Sequence, residues 1–140
     1  MKFYIMSFAL VCLIATNCNK KASHDTLQNG HNEISTIALN DGKKWKVVPH
    51  MLVIIREMEQ DIQTFDQQDY TSLSEKLKEN IEALTSNCTM EGQAHDELHK
   101  WLLPFIDKVE ALSNAKEKET AKAIFLEIKT SFLTFNQFFE

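Results

Sequence analysis

From Pro49 to Glu140, apolar side chains recur every three or four residues, a spacing that aligns them along one face of a helix and not of a strand. Four stretches carry the pattern. The first, about 49–65, places Leu52, Ile55, Met58, Ile62 and Phe65 on one face, with Pro49 in its first turn, where a missing N–H breaks no bond. The second, about 70–86, carries Leu73, Leu77, Ile81 and Leu84. The third, about 92–113, carries Leu98, Leu102, Phe105, Val109 and Leu112, and Pro104 within it is expected to kink or divide the helix. The fourth, about 116–139, carries Ala123, Ile124, Ile128, Phe132, Phe135 and Phe139. Polar breaks of a few residues join them. Short connections make successive helices antiparallel neighbours, so the expected fold is all-α, an up-down-up-down four-helix bundle.

Ahead of the helices the signals change. Ile34 to Leu39 and Lys44 to Val48 look like short strands around Asn40-Asp41-Gly42, and Asp-Gly between such runs predicts a hairpin. A lone hairpin is marginal, so it must pack on something, and Trp45 is the expected anchor. Residues 18–33 are polar and without period, which predicts a flexible tether. Earlier still, Lys2 precedes a nearly unbroken apolar run from Phe3 to Ala15, too short to span a bilayer comfortably. That is the layout of a secretory signal peptide over 1–17. It ends at Ala15-Thr16-Asn17-Cys18, similar to a bacterial lipobox, in which the cysteine becomes the acylated first residue of the mature chain. Asn17 departs from the Gly or Ala usual at that position. The expected organisation is therefore a leader, a lipidated Cys18 with its tether, and one domain over 34–140, exported and facing the periplasm or the cell surface.

Charge excludes one class of partner. Removal of the leader takes Lys2 with it and leaves 14 basic against 20 acidic side chains, with the lysines scattered. Such a chain offers no track for a phosphate backbone, so nucleic acid is not expected as a partner. The partners expected are the membrane, through the lipid anchor, and an envelope protein. Cysteine usage is more informative. Cys12 leaves with the leader and Cys18 takes the lipid, so Cys88 is the single free thiol of the mature chain, in a compartment where thiols oxidise. Its roles as inert core residue, reactive thiol or metal ligand all stay open.

The densest group of potential ligands runs from Cys88 to His99, as Cys-Thr-Met-Glu-Gly-Gln-Ala-His-Asp-Glu-Leu-His. His95 and His99 are four apart, so on a helix both rings share a face and can share an ion. Cys88 and Met90 add a thiolate and a thioether, the soft donors that favour Cu(I), while imidazole suits copper and zinc alike. In an antiparallel bundle the start of the first helix joins the same pole, bringing His50 and Met51 with it, and Met58 lies two turns deeper. The expected site is a copper or zinc centre formed by Cys88, Met90, His95, His99 and His50. The competing view is structural: histidines at helix ends are often simply hydrogen-bonded, and methionine is common core filler.

Catalytic alternatives are weaker. His95-Asp-Glu-Leu-His99 falls one residue short of the His-Glu-x-x-His helix of zinc proteases, because Asp96 stands where the general-base Glu belongs. No Cys-x-x-Cys-His haem attachment occurs, and the fourth helix holds no histidine. Cys88 has histidines nearby but no recognisable oxyanion-hole element. No enzyme activity is expected.

The leader, Leu39-Asn-Asp-Gly-Lys-Lys-Trp45, and the stretch from Cys88 through His-Asp-Glu-Leu-His-Lys-Trp-Leu-Leu to Pro104 together resemble a group of small exported lipoproteins of Bacteroidota. The likeness extends over nearly the whole mature domain and includes the aromatic-rich last helix. It implies a helical domain outside the cytoplasm and assigns no site. The expected function is an exported, lipid-anchored helical protein that binds a soft or borderline metal ion for sequestration or handover. The alternative is a cofactor-free interaction module of the cell envelope.

Overall fold

The computed structural model describes residues 36–140; the expected leader, Cys18 and the tether lie outside the described residues. The described chain forms an all-α bundle of four helices, α1 (Pro49–Thr64), α2 (Tyr70–Ser86), α3 (Gly92–Asn114) and α4 (Lys118–Phe138). Each helix packs on its sequence neighbour, and α1 closes the ring against α4. Local chemistry sets the ends. Pro49 sits in the first turn of α1. The Asp69 carboxylate caps α2 by accepting the Ser72 N–H at 3.0 Å, satisfying one of the orphan donors of that terminus. The last helix starts at Lys118, two residues later than its spacing suggests, because Ala115 and Glu117 are extended.

The helix periodicity becomes the core. Ile55, Met58 and Ile62 of α1, Leu77 and Leu84 of α2, and Leu98, Phe105 and Leu112 of α3 are almost wholly buried. Between α3 and α4 the filling is aromatic: Trp101 stacks on Phe105 at 5.0 Å, Phe132 meets Phe105 edge-on at 5.4 Å, and Phe135 stacks on Phe139 at 5.2 Å. The Trp101 indole N–H donates to the Ser131 carbonyl at 2.8 Å, so this large ring is buried without an orphaned donor.

Pro104 does not divide α3, which runs unbroken from Gly92 to Asn114. The residue faces solvent, so the carbonyl it leaves without a helical partner can be solvated, while Trp101, Leu102 and Phe105 on the opposite side hold both halves to the core.

The hairpin expectation requires correction. The tight turn is present: Asp41 and Gly42 have φ of 50° and 81°, both central residues left-handed as in a type I′ turn, and Asn40 and Lys43 exchange both backbone hydrogen bonds at 2.9 Å. No strand follows from it among the described residues; there are only isolated bridges. The segment after the turn runs parallel to the end of α4 instead. Trp45 N–H donates to Phe138 O, Glu140 N–H to Trp45 O and Val47 N–H to Glu140 O, all within 2.9 Å. Trp45, Val47 and Phe139 are all buried, so apolar anchoring decides which segment becomes the neighbour, and the turn only reverses the chain.

The residues before the turn are fastened to α3. The Ala38 N–H donates to a Glu97 carboxylate oxygen at 3.0 Å, and the Trp45 indole donates to the Ala38 carbonyl at 2.6 Å. Lys100 pairs with the other Glu97 oxygen at 2.7 Å and also donates to Thr36 O. Burial alone pushes the Glu97 carboxyl up, but the Lys100 ammonium and the Ala38 N–H outweigh it and hold the group below its ordinary value of 4.5. A buried carboxylate is thus kept ionised by the partners that define the clasp. On the opposite seam, Asn136 of α4 donates to Glu59 of α1 at 2.6 Å, and Arg56 bridges both. No helix among the described residues is long and apolar enough to cross a membrane.

Candidate functional site

The pole where α1 begins, α2 ends and α3 begins holds a cleft of about 290 Å³. Its floor is apolar, made by Leu84 of α2 and Leu98 and Leu102 of α3, and its rim carries Thr85, Cys88, His95 and His99. Met51, from the first turns of α1, completes the wall.

Each ligand candidate is set there by an identifiable local cause. Gly92 opens α3 with φ of 66°, a left-handed conformation that glycine adopts without strain, and this reverses the chain from the α2–α3 connection into the helix. At 3.6 residues per turn, His95 and His99 then lie about 60° and 100° around the helix from Leu98, on the flank of the buried stripe. The outcome is graded burial: Leu98 is fully buried, His95 half-buried and His99 exposed. The histidines therefore border the core and do not enter it. Their ring centroids are 4.2 Å apart, as the four-residue spacing requires. Cys88 follows the cap of α2, half-buried, with its backbone N–H donating to Thr85 O at 3.4 Å. It is the one free cysteine among the described residues.

Two expected ligands have other placements. His50 is exposed, and its Nε2 donates to the Asn87 carbonyl at 2.9 Å. That bond commits the nitrogen and fastens the start of α1 to the end of α2, so His50 shapes the pole without lining the cleft. Met90 is taken into the hydrophobic core at 8% exposure and is not part of the cleft wall. Met51 takes its place. The sequence puts Met51 at this pole, but only the packing of α1 shows that this residue, and not Met90, lines the cleft.

The donor set of the cleft is two imidazoles, a thiol and a thioether, with one hydroxyl from Thr85 and no carboxylate. No three His, Cys, Asp or Glu side chains among the described residues are gathered closely enough to hold an ion as they stand. Closing four donors on one ion requires rotation of side chains. Three further concavities are more open to solvent. A groove between α3 and α4 is lined by Lys108, Leu126, Thr130 and Thr134, and another along α1 by Pro49, Leu52 and Val53. A third gathers Asp61, Asp66, Asp69 and Lys76 near the α1–α2 connection, with Lys76 already paired to Asp61 at 2.6 Å.

No protein-family model, no curated protein and no solved structure matches this chain.

Proposed function

We propose that this chain is an exported protein, held to a membrane through an acylated Cys18, that binds a soft or borderline metal ion for sequestration or handover without turnover. One observation carries the metal-binding part: His95, His99, Cys88 and Met51, drawn from three different segments, all border a single cleft. Two nitrogens and two sulfurs match the coordination number that copper and zinc take in protein sites. Imidazole and thiol must both lose protons to ligate, so binding weakens as acid competes for them.

Titration of the purified, reduced protein against a competing chelator tests this directly. One equivalent of Cu(I) or Zn²⁺ is expected at micromolar concentration. The His95→Ala/His99→Ala double variant should bind about 100-fold or more weakly, because it leaves the ion half coordinated. His24→Ala and His31→Ala in the tether should bind as wild type does. Equal affinity of the double variant and wild type would sink the site.

The anchoring part rests on Cys18 at the end of the apolar leader. Cys18→Ser should abolish incorporation of labelled fatty acid and move the protein out of the membrane fraction. Persistent labelling of that variant would remove the lipid anchor from the proposal.

A cofactor-free interaction module of the envelope is the second reading. It is favoured by Leu126 and Leu133, seven residues apart on α4, which stand 53% and 70% exposed on its outer face. Failure of the wild-type protein to take up either metal would transfer the assignment to it.

A further inference from the structure

Charge and softness in the cleft distinguish between the two metals, and this step rests on the metal-binding reading above. The wall carries no carboxylate, and its floor of leucines excludes water from one side of any bound ion. The only ligand there that becomes an anion is Cys88. With a divalent ion, one thiolate and neutral imidazoles leave a positive charge uncompensated over an apolar floor, which is unfavourable. With a monovalent ion the same set is neutral. The thioether points the same way. A neutral sulfur donor attracts a soft ion strongly and a borderline one weakly. Met51 lines the cleft and is 1% exposed, so its side chain is already stripped of water before any ion arrives.

We propose that the cleft is a Cu(I) site in which Met51 is the selectivity-determining ligand, beside Cys88, His95 and His99. His50 and Met90 lie outside the coordination sphere. Met58, wholly buried two turns further along α1 and absent from the cleft wall, is core. No redox step is involved: the ion binds and leaves as Cu(I), and the Cys88 thiol releases its proton to solvent on binding.

The test compares Cu(I) and Zn²⁺ affinities of the reduced wild-type protein, Met51→Leu and Met90→Leu by chelator competition. Leucine replaces methionine with little change of volume, so the fold should survive, and circular dichroism checks this. Met51→Leu should weaken Cu(I) by about tenfold or more and leave Zn²⁺ within about twofold. Met90→Leu should change neither. X-ray absorption of the Cu(I)-loaded selenomethionine protein should show copper–selenium scattering, and this readout needs no variant to fold. Cu(I) affinity unchanged in Met51→Leu, or no copper–selenium scattering, would overturn the role of Met51. If that result came with tight binding that still depends on His95 and His99, metal binding itself would stand. Uptake of neither ion by wild type would overturn both.

Discussion

Replacing Phe135 by alanine is expected to lower stability by about 3–5 kcal/mol, the range for removal of a large aromatic ring from a core. The ring is wholly buried and stands where three elements meet. It lies 4.8 Å from Trp101 of α3, stacks at 5.2 Å on Phe139 and carries the Arg56 guanidinium of α1 at 5.3 Å from its centroid. Its removal leaves a cavity between stiff rings that cannot all collapse inward, which places the expected loss toward the upper end. Domains of this size are stable by only about 5–15 kcal/mol, so the variant should be close to its unfolding threshold at body temperature. Urea unfolding followed by circular dichroism measures the loss. Leu133→Ala on the same helix, 70% exposed, should change stability by no more than about 0.5 kcal/mol. A Phe135 loss below about 1 kcal/mol would show that the aromatic cluster repacks freely and does not hold α3 to α4.

The helices were legible because their signals are local. Pro49 marks a start in the sequence and acts as one in the structure, and the three-and-four spacing of Leu73, Leu77, Ile81 and Leu84 survives as one buried row. Pro104 leaves α3 undivided because proline's cost depends on which side of the helix it occupies. The stripe of Leu98, Leu102, Phe105 and Val109 already sets Pro104 on the opposite side, and the expectation of a division weighs the residue type over its position on the helix. The hairpin misleads for a different reason. Asp41-Gly42 fixes a four-residue turn, but the neighbour of Trp45 is chosen by a phenylalanine more than 90 residues away, and no local pattern records that.

The candidate site was legible by pole and not by ligand. Up-down connectivity alone brings the start of α1, the end of α2 and the start of α3 together, which gathers His50, Met51, Cys88, Met90, His95 and His99. Which of these face a common space depends on helix rotation and on competing hydrogen bonds. The Asn87 carbonyl claims His50, and of the two buried methionines at this pole only Met51 lines the cleft. Methionine carries no polar signature that could have ranked Met51 above Met90 in advance.

Trp45→Ala is expected to destabilise the protein by about 3–5 kcal/mol and to release both ends of the described chain from the bundle. Trp45 is 6% exposed and joins three things that no helix holds. Its indole N–H donates to Ala38 O, fixing the segment that reaches Glu97 and Lys100 on α3. Its backbone exchanges hydrogen bonds with Phe138, the last residue of α4, and with Glu140 beyond it. The ring itself joins the same hydrophobic core as Phe139. The backbone bonds involve no side-chain atom, yet short extended pairings of this kind are marginal without apolar anchoring, so they should open when the ring is removed. Amide hydrogen exchange separates this outcome from a uniform loss of stability. In Trp45→Ala the Val47 and Glu140 amides should lose protection well before those of Ile55 or Leu98. Trp45→Phe retains most of the apolar contact and removes only the indole donor, so it should lose about 1 kcal/mol and keep the Val47 and Glu140 amides protected. If Trp45→Ala protects those two amides as wild type does, the pairing is held by the backbone alone and Trp45 is an ordinary core residue.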